Sequence, residues 1–200
     1  MKAITKLALL IALTISFIGA YAQEAYSVKD VKMKIEGTST LHDWVSDVTK
    51  VKADAKLTIE DQRLKEIQSL SVNIPVESIK STKGRIMDNK TYNALKSDRH
   101  PNITFRLKNA SVTPTGMNSV RVNATGALTI AGATRTVELV ATGKAGNGNA
   151  ITFSGSKKLL LSDFNMEQPT ALMGTIETGN EVTIRYSLEL SADGQEANRF

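Results

Sequence analysis

Cysteine is absent from the 200 residues, histidine occurs twice, tryptophan once and proline four times. The first absence rules out disulfides, thiolate nucleophiles and cysteine-held metals. A secreted chain of this length without disulfides must hold together by core burial. The two histidines, His42 and His100, even taken with Asp43 and Asp88, fall short of the three or four ligands a metal centre needs at recognisable spacing. No G-x-S-x-G, H-E-x-x-H, P-loop or G-x-G-x-x-G pattern occurs, so the usual enzymatic signatures are missing. Aromatic residues make up 5% of the chain, and the basic residues do not cluster with them, which speaks against a nucleic-acid partner. There is also no apolar run of the ~18 residues that a comfortable membrane span requires.

What is present begins with a leader. Residues 1–22, MKAITKLALLIALTISFIGAYA, combine Lys2 and Lys6 with an apolar stretch from Leu7 to Ile18 and a small-x-small site at Ala20-Tyr21-Ala22. That order is a cleavable secretory signal, and with no cysteine at the cleavage point a lipoprotein anchor is excluded. A mature chain starting near Gln23 is expected, giving one domain over residues 23–200. Its net charge is 23 − 20 = +3, against +5 for the whole sequence. The mild charge and the lack of disulfides fit a periplasmic protein.

From Tyr26 onward the hydrophobic period is two. Val31, Met33 and Ile35 alternate with lysines and Glu36, and Val51, Ala53, Ala55, Leu57 and Ile59 alternate with Lys52, Asp54, Lys56 and Thr58. The same pattern marks strands over Leu70–Val76, Ile103–Leu107, Val120–Ile130, Val137–Ala141, Ile151–Leu161 and Val182–Leu190. Alternation of this kind is a half-buried strand. Pro75 lacks a ladder donor, which places its strand at an edge or bulge. Asp61 to Ile67 reads as a helical turn or a loop, and Asp163 to Gly179 as a long connection. Thr113-Pro114-Thr115-Gly116 and Ala131-Gly132-Ala133 are turns. The tail from Ser191 is polar and expected to fray.

The long polar interruption is Ser78 to Leu107. Met87 to Leu95 reads as a short helix capped by Asp88 or Asn89, and Arg99-His100-Pro101 ends it, since a residue before proline leaves the helical region. The count is about eight strands and one helix, with no βαβ rhythm and no repeat. The expected fold is all-β, an eight-stranded antiparallel barrel with one short helix between strands. Inward candidates such as Ala53, Ala55, Ala124, Gly126 and Ala141 are small. A ligand cavity and a core filled by Phe105, Phe153 and Tyr186 both remain open at this point.

Several segments in their order resemble the YceI-like proteins, periplasmic lipid- or polyisoprenoid-binding barrels of extended lipocalin-like fold. They are Gly37-Thr38-Ser39-Thr40-Leu41-His42-Asp43-Trp44, Val76 to Ser81, Met87-Asp88 with Ala94 to Ser97, His100 to Phe105, Gly126 to Arg135, and Leu161 to Met166. The resemblance covers nearly the whole mature chain. It implies an amphiphile in the barrel: an isoprenoid quinone, a polyprenyl phosphate or a fatty-acid derivative. It implies no cofactor and no catalysis. Asn165 and the Thr-Leu-His-Asp-Trp version of the first turn depart from the commoner family pattern, so the head group is expected to differ.

A lipid tail needs a dry tunnel, because each buried CH₂ contributes about 0.8 kcal/mol. The residues expected to wall that tunnel are Leu57, Ile103, Phe105, Leu128, Leu139, Phe153 and Tyr186. Those expected at the head group are His42, Arg85, Asp88 and His100, with Trp44 and Tyr92 as rim groups. Three readings follow: a periplasmic lipid carrier in transient contact with a membrane, a ligandless interaction barrel, and an enzyme using His42 or His100 as base. Open barrel edges seek partners, which makes a homodimer compatible with the fold.

Overall fold

A computed structural model gives the fold, and it describes residues 24–171 and 175–193. The expected leader, residues 1–22, lies outside these, as does the tail beyond residue 193. Among the described residues the chain runs β1 (Glu24–Ser39), β2 (Trp44–Val48), β3 (Lys52–Glu60), β4 (Arg63–Pro75) and β5 (Ile79–Ser81). It continues through α1 (Arg85–Ala94), β6 (Asn102–Pro114), β7 (Ser119–Ile130), β8 (Ala133–Ala145), β9 (Ile151–Leu160), β10 (Thr170–Ala171) and β11 (Ile176–Ala192). Short 3₁₀ turns occupy Val76–Ser78 and Leu161–Phe164.

Eight of the strands close a barrel in the order β1, β3, β4, β6, β7, β8, β9, β11, with β11 pairing back to β1. Every neighbouring pair around the barrel is antiparallel. The expected eight-stranded barrel is therefore the fold. Its two sheet ends are β10 and β5, two and three residues long.

Alternation sets the faces. In β3 the burial follows the sequence residue by residue: Ala53, Ala55 and Leu57 are buried, and Lys52, Asp54 and Lys56 are exposed. The outer face carries cross-strand ion pairs such as Lys29–Glu189 and Arg185–Glu36. Exposed pairs of this kind contribute little, and burial of the inner face carries the stability.

Four local expectations change. Asp61 and Gln62 form a two-residue hairpin turn, both at positive φ (50° and 57°), rather than a helical turn or loop. Pro75 ends an interior strand instead of marking an edge; it pairs with Asn102 and hands over to the 3₁₀ turn, where its missing N–H costs no ladder bond. The connection from Asp163 to Gly179 contains the 3₁₀ turn, β10 and the start of β11. Ser191 and Ala192 belong to β11, where Ala192 pairs with Tyr26 and is buried, so the fraying expected from Ser191 does not begin there.

One departure from a simple barrel positions the site. β1 pairs with β3 over Glu24–Ser27 and with β2 over Lys34–Gly37. Between β2 and β3 the ladder is replaced by Thr49, whose N–H and hydroxyl both donate to the Ser78 carbonyl at 2.9 Å. Ser78 in turn donates to the Lys50 and Pro75 carbonyls. The wall thus breaks at one level in two adjacent paths. β2 and β5 form a separate flap beyond that level, and α1 follows directly from it.

Candidate lipid site

The barrel contains two adjoining chambers. The inner one, about 180 Å³, is lined by side chains that are all apolar except Lys157 and Tyr186. The outer one, about 380 Å³, lies at the end bounded by the β1–β2 turn, α1, the 3₁₀ turn after β9, β10 and the start of β11. Ile35, Ile79, Ile103, Ile130, Leu159 and Ile184 line both and form the neck between them. At the opposite end Tyr26 is fully buried, and its hydroxyl donates to Glu24 Oε2 at 3.3 Å. Burial first, and the charge of Glu24 second, push the Tyr26 phenol up to about 12, so it stays a neutral donor.

Aromatic rings leave the interior open because glycine lets them lie along the wall. A Cβ on Gly126 would run into the Phe105 ring and come within 2.6 Å of the Arg106 carbonyl. Gly155 sits directly across from Tyr186, where a Cβ would lie 2.7 Å from the phenol oxygen. Trp44 lies over Gly37, its cross-strand partner, and donates Nε1–H to the Thr38 carbonyl at 3.0 Å. Each ring therefore covers a neighbouring strand instead of crossing the lumen. Burial also raises the Tyr186 phenol, which keeps a neutral hydroxyl in the inner chamber.

All seven residues expected to wall the tail line the inner chamber: Leu57, Ile103, Phe105, Leu128, Leu139, Phe153 and Tyr186. Ile103 belongs to the neck as well. The six expected at the head group divide. His42 and Trp44 line the outer chamber. His42 is exposed, with Nδ1 3.0 Å from the Asp43 carbonyl. Arg85, Asp88, Tyr92 and His100 do not line it.

The helix explains three of those four. Gly84, at φ 86°, is the N-cap of α1, four residues before Asp88, so neither Asp88 nor Asn89 is a cap. Met87, Lys90, Thr91, Ala94 and Leu95 line the chamber, and Asp88 and Tyr92 fall on the next face round. Asp88 is buried, and its Oδ1 accepts the Ser81 N–H at 2.6 Å, with Lys80 3.9 Å from the other oxygen. The Tyr92 hydroxyl lies 3.0 and 3.1 Å from the Glu77 and Ile79 carbonyls and receives a bond from Lys80 at 2.7 Å. These groups fasten α1 to β5. Arg85 is exposed on the outside of the first turn. His100 packs beneath Gly132 in the β7–β8 turn. His42 and His100 thus serve different places, and no cluster of three or more metal-ligating side chains occurs among the described residues.

The structure adds residues that the sequence reading passed over. Lys90, on α1, lines the outer chamber and donates to the Thr170 carbonyl at 3.0 Å, a bond from the helix to β10. Lys83 lines it too, and Ser46, almost fully buried on β2, faces it. Lys157 lines the inner chamber, opposite Ile184 and one step diagonally from Tyr186. Its signal was available: it shares the strand parity of Phe153 and Leu159, so it is a charged residue on the apolar face. Among the described residues no aspartate or glutamate lines either chamber.

Solved structures share this architecture. BcnA of Burkholderia cenocepacia is 23% identical, with 80% of this chain and 95% of that one covered at a TM-score of 0.59. A polyisoprenoid-binding domain from Saccharophagus degradans implicated in plant cell wall breakdown is 9% identical, with 85% and 99% covered at 0.63. The YceI protein of Campylobacter jejuni is 22% identical, with 70% and 83% covered at 0.51. At these identities they establish the fold. No curated protein matches the chain. The sequence profile of the YceI-like domain matches residues 22–190, spanning the barrel from end to end. With that match, and with the closed barrel and its two-chambered interior, the chain belongs to the YceI-like domain family.

Proposed function

We propose that this protein is a periplasmic carrier that holds one amphiphilic lipid, its tail in the inner chamber and its head toward the neck and mouth. The observation that carries this reading is a closed barrel enclosing two adjoining chambers that share six apolar lining residues. Tail burial supplies the affinity, at about 0.8 kcal/mol per CH₂. The inner lining, apolar apart from Lys157 and Tyr186, suits a lipid tail. The description of the Saccharophagus domain as polyisoprenoid-binding points the same way.

Of the three lipid classes that the resemblance implies, the lining favours an acidic head. Lys83, Lys90 and Lys157 line the chambers, and among the described residues no carboxylate does. A buried or half-buried cation gains most from a carboxylate or phosphate. A saturated fatty acid is therefore expected to bind about tenfold tighter than the alcohol of equal tail length, as charge-assisted hydrogen bonds warrant. Lys157→Met should remove most of that preference, read by competition against a fluorescent fatty acid. Equal binding of acid and alcohol by the wild type would instead favour a neutral head such as a quinone. Failure of both to bind would favour the ligandless barrel.

A further inference from the structure

We propose that the mouth end of the barrel docks on an anionic lipid bilayer, with Leu41, Ile86 and Met87 entering the headgroup layer and Lys83, Arg85 and Lys90 facing lipid phosphates. The proposal rests on the carrier reading, since a water-insoluble cargo must be collected from a bilayer. Its observations are separate from those behind that reading.

Apolar exposure is concentrated at one end of the molecule. Six large apolar side chains are exposed among the described residues. Leu41 is 66% exposed, Ile86 76%, Met87 36% and Leu160 40%. Leu41, Met87 and Leu160 line the outer chamber, and Ile86 adjoins Met87 in the first turn of α1. Met117, in the β6–β7 connection, and Val140, on β8, lie away from the mouth lining. Free apolar side chains gathered around a cavity entrance mark a surface that is covered in use.

The α1 edge of the same end is basic, while the rest of the rim carries the exposed acids Asp43, Asp163, Glu167 and Glu177. Residues 80–99 contain six lysines and arginines against Asp88 and Asp98, a net of +4, where the whole chain carries +5. Asp88 is buried against Ser81, so the exposed acid in this segment is Asp98. An anionic leaflet answers both features: it attracts each nearby lysine or arginine and accepts apolar side chains a few ångströms below its phosphates. The contact is peripheral, as no described helix is long and apolar enough to cross a membrane. It also sets the chamber opening against the phase that holds the cargo.

The test is flotation of the purified protein with vesicles of phosphatidylcholine alone and of phosphatidylcholine mixed with phosphatidylglycerol. Binding to the mixed vesicles, weakened by salt, is the expected result. Arg85→Gln with Ile86→Ser changes two residues outside the chamber lining. It should weaken vesicle binding roughly fiftyfold, about fivefold from the charge and about tenfold from the buried side chain, without altering fatty-acid uptake in solution. Val140→Ser should leave both unchanged. A wild type that takes up fatty acid but ignores mixed vesicles overturns docking and leaves the carrier reading standing. Vesicle binding that the double variant retains also overturns it. Failure of both vesicle binding and uptake overturns both readings.

Discussion

Replacing Ala124 by phenylalanine is expected to weaken retention of a long-tailed amphiphile by roughly 150-fold while leaving the barrel folded. Ala124 lies on β7 between Ala110 and Leu139 and lines the inner chamber. A benzyl side chain there takes the space of the tail's far end. Excluding roughly four methylenes at about 0.8 kcal/mol each forfeits about 3 kcal/mol. The ring fills a void rather than displacing packed neighbours, so thermal stability should hold. The signature is tail-length dependence, measured by calorimetric titration with fatty acids of increasing length. Wild-type affinity should climb with each added pair of carbons, and the variant should reach a plateau early. Equal climbs would mean that the tail never reaches this chamber.

Gly126→Ala should be costly out of proportion to one methyl group. The added Cβ meets the Phe105 ring and, at 2.6 Å, the Arg106 carbonyl oxygen. The ring can swing away, but the carbonyl belongs to the β6 ladder that pairs with β7, so the strand itself must shift. Overpacking of this kind costs up to about 3 kcal/mol, which for a domain of this size lowers the melting temperature by about 10 °C. The same change drives Phe105 off the wall toward the lumen, so ligand affinity should fall with stability. Ala127→Gly, next along β7 and outside the chamber lining, serves as a comparison. It loses a side chain instead of adding one, so affinity should stay near the wild-type value. A melting temperature for Gly126→Ala within a degree or two of the wild type would show that the rings do not depend on these glycines.

The contrast between these two positions shows what was legible in the sequence. Strand parity is a strict period, so it sorts inward from outward residues without knowledge of the partner strand. Leu57, Phe105, Leu128, Leu139 and Phe153 therefore come out on one face, and the closed barrel brings that face around one chamber. Parity could not say whether the rings would fill the lumen. That depended on which glycine stood across from which ring, a matter of register set by turns far away in sequence.

The mouth was harder to read, for a different reason. A helix offers several faces, and only docking decides which one looks inward. Asp88 and Tyr92 carry the polar chemistry of a binding site, yet one helical step turns them toward β5, where Ser81 and the Glu77 and Ile79 carbonyls engage them. Lys90, on the same helix, reaches the Thr170 carbonyl. His100 is expected at the head group, and it packs instead against Gly132, in a hairpin turn about thirty positions on. Lys157 was lost for the opposite cause: its parity was clear, but a lysine is by habit assigned to water. The mouth lining was equally hidden, since Leu41 and Met87 share one chamber only when the β1–β2 turn and α1 come together around it.

Native mass spectrometry of the protein purified from its own host tests the central claim most directly. The account predicts a discrete mass excess corresponding to one bound lipid per chain, released by organic solvent and sharply reduced in Ala124→Phe. A bare polypeptide mass in every preparation, together with no uptake of added fatty acid or polyprenyl phosphate, would contradict it.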